Sequence, residues 1–182
     1  MARDNWLVAC IDEFDRLRGR HVTSWSGVEM ALRDEAPDGG GPQFEDPAIS
    51  CLQMLIVGVG FGDGPLLTVH TYQDDDVCGL RMGANADYLS AEWTGIYRLR
   101  DLSMLPTGEI EEVSVVLDEG VVAEVVLRVR GRPVVLMAGE AYEVGGDRLR
   151  LVRLDESVLV FTDLAAVESV DWHPERRTAF PG

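Results

Sequence analysis

The sequence predicts an α+β protein made mainly of antiparallel strands: a strongly bent sheet, sandwich or incomplete barrel, with an amphipathic N-terminal helix and a short C-terminal helix. Three observations predict it. Val121, Ala123, Val125, Leu127 and Val129 alternate with Glu124, Arg128 and Arg130, the period-2 pattern of a strand with one buried and one wet face. Glycine- or aspartate-rich pairs then punctuate the chain at short intervals, as hairpin turns do. Near the start, Trp6, Leu7, Cys10, Ile11, Phe14 and Leu17 instead recur at helical spacing.

Taken in order, the apolar stripe predicts a helix over residues 4–18, stopped by Gly19. Its aromatic residues are expected to pack on the chain's own sheet. Residues 21–34 read as a strand, because Val28, Met30 and Leu32 alternate with Glu29, Ala31 and Arg33, although Met, Ala, Leu and Glu are also good helix formers. Residues 34–47 carry three prolines and three glycines and read as a mobile exposed loop anchored by Phe44. Strands follow at 51–59, 65–73 and 77–82, with Asp74-Asp75-Asp76 as an acidic turn, and another at 93–99.

The stretch 109–162 reads as a β-meander. Gly131-Arg132 supplies the glycine-first pair of a type II′ turn, because glycine alone adopts the required positive φ without steric cost. Gly145-Gly146-Asp147 makes the next turn, and Asp155-Glu156 a third, between strands 149–154 and 158–161. Thr162 or Asp163 caps a short helix running to Val170, and residues 171–182 form a loosely held tail. One domain over 1–182 is expected, with an internal β-repeat relating 48–82 to 121–154 as a further reading.

The chain of 182 residues is long enough for a substantial core, and 46% hydrophobic with 26% charged residues is a globular composition. Its longest nearly uncharged apolar stretch, 48–61, is interrupted by Gly58 and Gly60 and is shorter than the roughly 20 residues of a membrane-spanning helix. The first residues run quickly into Asp12, Glu13 and Asp15, unlike a secretory leader, so a cytoplasmic location is expected. Cys10, Cys51 and Cys78 are widely spaced in apolar surroundings and read as reduced core residues. All 16 basic residues are arginine.

The formal net charge is −16, spread as −9 over residues 1–108 (17 acidic, 8 basic) and −7 over 109–182 (15 acidic, 8 basic). Such a field repels nucleic-acid phosphates and anionic membranes and speeds encounter with a basic protein. Catalytic and cofactor motifs do not stand out. The glycines at 58, 60, 62 and 64 lead into a strand, whereas a phosphate-binding loop must lead into a helix. Asp74-Asp75-Asp76 lacks the spacing of a calcium loop. His21, His70 and His173 form no zinc pattern, no Gly-x-Ser-x-Gly elbow is present, and Ser24, Ser26 and Ser157 have no obvious histidine partner in the local sequence. No catalytic residue, cofactor or metal is assigned. Asp155-Glu156-Ser157 and Asp171-Trp172-His173-Pro174 have the look of signatures but carry no reading.

The function expected from this profile is a non-enzymatic acidic protein that docks on or neutralises a basic protein partner. Asp74, Asp75, Asp76, Glu45 and Asp46 would supply the charge and Phe44 the aromatic anchor. Small size, acidity and the lack of a catalytic constellation make the profile similar to that of bacterial immunity proteins, which block toxin nucleases. Two alternatives stand beside it. One is a small-molecule binder or enzyme with a pocket in the curved sheet lined by His70, Tyr72, Tyr97 and Tyr142. The other is a structural or assembly module whose edge strands pair into a homodimer.

Overall fold

The computed structural model describes residues 2–62, 64–145, 148–168 and 170, and of residues 2–4 the backbone only. Helix α1 (Ala2–Asp15) is followed by β1 (His21–Val22), β2 (Ser24–Met30), β3 (Leu52–Gly60), β4 (Leu67–Asp74), β5 (Val77–Gly83), β6 (Tyr97–Asp101), β7 (Gly108–Asp118), β8 (Val121–Val129), β9 (Arg132–Val144), β10 (Arg148–Phe161) and helix α2 (Leu164–Val167). All pairings are antiparallel, in the order β1-β7-β8-β9-β10-β3-β2-β6, and the sheet does not close into a barrel.

Strand β3 organises the bend. Along one edge it pairs with β2; its other edge is divided, Leu52–Met54 pairing with β10 and Val57–Val59 with β4. The β4–β5 hairpin therefore diverges from β10 and lies over β8. There Gly79 sits so close to Val121 that a Cβ on it would fall 2.6 Å from the Val121 Cβ. On the β2 side, Val28 pairs with Ile56 and Glu29 with Met54, so Leu55 is an extra residue, a β-bulge. That bulge resets the alternation, letting Met54, Val57 and Val59 all enter the main core.

The meander forms as its alternation dictates, with Val121, Ala123, Val125, Leu127 and Val129 fully buried. Two details differ from the sequence reading. The β8–β9 turn is centred on Arg130 (φ 49°) and Gly131 (φ 74°), a type I′ geometry instead of type II′ at Gly131-Arg132. Type I′ follows the strands' own twist, and Val129 pairs directly with Arg132. Asp155-Glu156 is no hairpin turn either. β10 runs through from Arg148 to Phe161, and residues 154–157 are inserted between Arg153, paired with Gly139, and Val158, paired with Ala138. Leu154 takes φ 61° there, a strain of about 1–2 kcal/mol for a branched residue. Its complete burial against Val77, Val121 and Ala123 contributes about 2 kcal/mol in the opposite direction. Of the turn at Gly145-Gly146-Asp147, Gly146 and Asp147 lie outside the described residues.

Helix α1 packs on β5, β7 and β8, burying Cys10 and Phe14, while the following turn buries Leu17. It ends at Asp15, earlier than the spacing suggests, because the Leu17 N–H turns back to the Phe14 carbonyl at 2.9 Å and tightens the chain toward Gly19. Strand β2 stops at Met30, and β6 begins only at Tyr97, leaving Trp93 before it. Asp163 caps α2, accepting from the Ala165 N–H at 2.9 Å, and the helix ends at Val167. The tail 171–182, with Trp172 and His173, lies outside the described residues. Among the described residues no helix is long and apolar enough to cross a membrane. All three cysteines are free thiols: Cys10 and Cys78 are buried and Cys51 is partly so.

Candidate functional site

Strand β9 sets the site. Its period-2 alternation places Glu140 on the face of Val134, Leu136 and Ala138, one step beyond the end of the apolar core. The β10 insertion opposite then brings Asp155, Glu156 and Ser157 alongside. The result is a pocket of about 300 Å³ whose polar lining includes Asp34, Gln53, Tyr97, Glu140, Glu156 and Ser157.

Two buried side chains hold the frame. Gln53 accepts from the Ala141 N–H at 2.7 Å and donates to the Ala31 carbonyl at 3.1 Å, tying β3 to β9 and to the end of β2. The Ser157 hydroxyl donates to Glu140 Oε2 at 3.4 Å. Beside the pocket the Tyr142 hydroxyl donates to Asp155 Oδ2 at 3.0 Å, while Asp155 Oδ1 accepts from the Glu156 N–H at 2.9 Å. The Thr71 hydroxyl donates to the Glu156 carbonyl, joining β4 to the insertion.

The electrostatics are those of an uncompensated acidic cluster. Burial first, then the charges of Asp155 and Glu156, and finally that of Asp34 push the Glu140 carboxyl up to about 7, against a smaller downward pull from the Ser157 hydrogen bond. The Tyr142 phenol is likewise raised, by burial and then by Asp155. A carboxyl near 7 can take up or release a proton at neutral pH, and it favours a cation as neighbour. Among the described residues no group of three His, Cys, Asp or Glu side chains is arranged to hold a metal ion.

The residues singled out from sequence fall in several places. Phe44, Glu45 and Asp46 come together on one wall of a separate groove of about 630 Å³. Each meets an arginine of the same chain. The Arg98 guanidinium lies 4.0 Å over the Phe44 ring, Glu45 is 3.4 Å from Arg100, and Asp46 is 2.8 Å from the buried Arg33. Arg33 also meets Glu143 at 2.9 Å and Gln43 at 2.7 Å, so it closes the 34–46 segment against β9. Its hydrogen bond holds the Asp46 carboxyl below the usual range, helped by the Ala48 N–H.

Asp75 and Asp76 are exposed at the tip of the β4–β5 hairpin and Asp74 is half-buried beneath them. His70 lines another concavity, accepting from Arg81 Nε at 2.7 Å. Tyr72 packs edge-on to Trp6, with ring centroids 4.5 Å apart, and Tyr142 bonds Asp155. Of the four pocket candidates, only Tyr97 lines the acidic pocket.

Glu140, Gln53, Asp155 and Ser157 escaped the sequence reading as site residues. The one available signal was the polar triplet Asp155-Glu156-Ser157 inside an apolar run, which marks an insertion as readily as a turn. The chain matches no protein-family model, no curated protein and no solved structure, so its own residues are the sole guide to function.

Proposed function

We propose that the protein is a non-enzymatic acidic binding protein of the cytoplasm that docks on a basic protein partner, receiving a cationic side chain of that partner beside Glu140. The observation that carries the reading is the pocket at the β10 insertion, where burial first, and then the charges of Asp155, Glu156 and Asp34, raise Glu140 to about 7. A guanidinium or ammonium group placed there answers several carboxylates at once. The net charge of −16 steers such a partner in, with exposed Asp75, Asp76 and Glu45 contributing to the attraction.

The test is calorimetry of the protein with the basic partner recovered by low-salt capture, or with an arginine-rich peptide, at pH 7 in two buffers of different ionisation enthalpy. A cation beside Glu140 lowers its pKa, so binding releases protons, and Glu140→Gln removes that release. Affinity also falls steeply with salt. Binding without proton release and indifferent to salt would count against the reading.

A further inference from the structure

Beside the acidic pocket, and sharing Leu55 with it, lies a concavity of about 330 Å³ between β3, β4 and the segment after β5. Among the described residues its lining holds no Asp, Glu or Arg, in contrast to the acidic pocket, the Phe44 groove and a fourth recess at Arg16 and Arg20.

Of its polar groups, Thr71 and Tyr88 are hydrogen-bonded within the chain, whereas Thr68, His70 and Asn85 keep hydrogens that no acceptor among the described residues takes. Thr68 is only 2% exposed, lines the concavity, and its hydroxyl makes no hydrogen bond among the described residues. His70 accepts from Arg81 through Nε2, so its proton resides on Nδ1, which has no partner there. Burial first and the Arg81 charge second lower the His70 pKa, keeping the ring neutral. Asn85 uses its side-chain oxygen to accept from the Asp87 N–H at 2.8 Å, which leaves its amide hydrogens.

Glycine keeps the space open. A Cβ on Gly83 would lie 3.1 Å from both Thr68 Oγ1 and His70 Cε1, so both flank the same gap. A Cβ on Gly58 would fall 1.8 Å from the Tyr88 hydroxyl, so glycine there lets Tyr88 cross β3 to meet Ser26 Oγ at 2.8 Å. Leu55, Ile56 and Tyr88 supply the apolar walls.

We propose that this concavity binds a small neutral planar heterocycle with carbonyl acceptors, of the pyrimidinedione type, the carbonyls meeting Thr68, His70 and Asn85 and the ring faces lying on Leu55, Ile56 and Tyr88. Thr68, almost closed off from solvent, the half-buried His70 and the exposed Asn85 all line the gap with hydrogens to donate, and a site built from donors selects a ligand that supplies acceptors. An anion would satisfy the donors too, but the protein's overall field opposes it. This site is independent of the basic-partner reading.

The experiment is a nitrogen–proton correlation NMR titration of the full chain with uracil, and with glucose and acetate as the polyol and anion controls. Uracil shifts the Thr68, His70 and Asn85 signals in a saturable way and the controls do not. Thr68→Val removes one hydroxyl at constant shape; it weakens uracil at least tenfold while the melting temperature stays level or rises, since no hydrogen bond within the chain is lost. His70→Phe, a second variant, also loses binding. Glu140→Gln leaves uracil binding unchanged. Failure of uracil to shift these signals at solubility-limited concentration, a preference for glucose or acetate, or wild-type affinity in Thr68→Val each overturns the proposal.

Discussion

Glu29 and Glu140 are both glutamates on interior strands, and the chain treats them in opposite ways. Glu29 on β2 is fully buried, yet both its oxygens are met from the adjacent strand β6, by Arg98 Nε at 2.6 Å and by Arg100 Nη1. Glu45 and the Phe44 ring then back those same arginines. Glu140 on β9 is half-buried, and its charged neighbours are Asp34, Asp155 and Glu156. Where charge is answered inside the chain, it fastens β2, β6 and the 44–46 segment together. Where it is left unanswered in a pocket, the chain holds free energy that a cation from outside can release.

The largest effect should come from the answered site. Glu29→Ala leaves two guanidinium groups over an apolar strand without their carboxylate, and urea denaturation should show a loss of about 3 kcal/mol, the lower end for breaking a buried pair because Arg98 remains partly solvated. Glu29→Gln keeps the shape and one acceptor and should lose somewhat less. A loss under about 1 kcal/mol in both would remove the contrast, since Glu29 would then be as dispensable as a surface charge.

That contrast was only half visible in the sequence. The alternation in β8 is legible because each residue's environment follows from its parity: Val121 to Val129 bury one face, and no distant partner is needed to say so. The same parity puts Glu29 in water. It fails because the arginines that make its burial tolerable lie about seventy positions away on β6, and parity carries no information on what a neighbouring strand brings. Asp155-Glu156 misleads for a related reason. A polar pair between apolar runs ends the pattern equally well as a turn or as an insertion, and the choice is made by β9, which continues straight past it. Glu140 is one of 32 acidic residues, with nothing local to distinguish it; its character arises where β9, the β10 insertion and the segment at Asp34 meet.

At the unanswered site the expected effect is smaller and opposite in sign. The folded-state pKa of Glu140, about 7, lies above its unfolded value near 4.5, so the folded form binds the extra proton between those limits. Stability is therefore highest below about pH 4.5 as far as this group is concerned, and declines as pH rises toward 7. Glu140→Gln should abolish that decline. It should match the wild type at pH 4 and exceed it at pH 8 by about 1–2 kcal/mol, the figure being reduced for a half-solvated group. Denaturation midpoints at the two pH values read the difference. A variant less stable than wild type at pH 8 would mean that ionised Glu140 stabilises the fold, and the two glutamates would be alike.

The smallest effect separates the two causes acting on Glu140. Glu156 is exposed, and its carboxylate makes no hydrogen bond or ion pair among the described residues; its own contacts are through the backbone, to Thr71 and Asp155. Glu156→Gln thus deletes one repelling charge with little structural disturbance. In carbon-13 titrations of the Glu140 carboxyl it should lower the midpoint by a few tenths of a unit, worth a few tenths of a kcal/mol at pH 8. Raising the salt should shrink the gap between variant and wild type, because exposed charges are screened beyond roughly 10 Å. It should not return Glu140 to the ordinary carboxyl range, since burial is the larger cause and salt does not relieve burial. If high salt alone brings Glu140 back to that range, the pocket is wetter than its lining implies, and an incoming cation would gain little there over binding at the exposed Asp75-Asp76 turn.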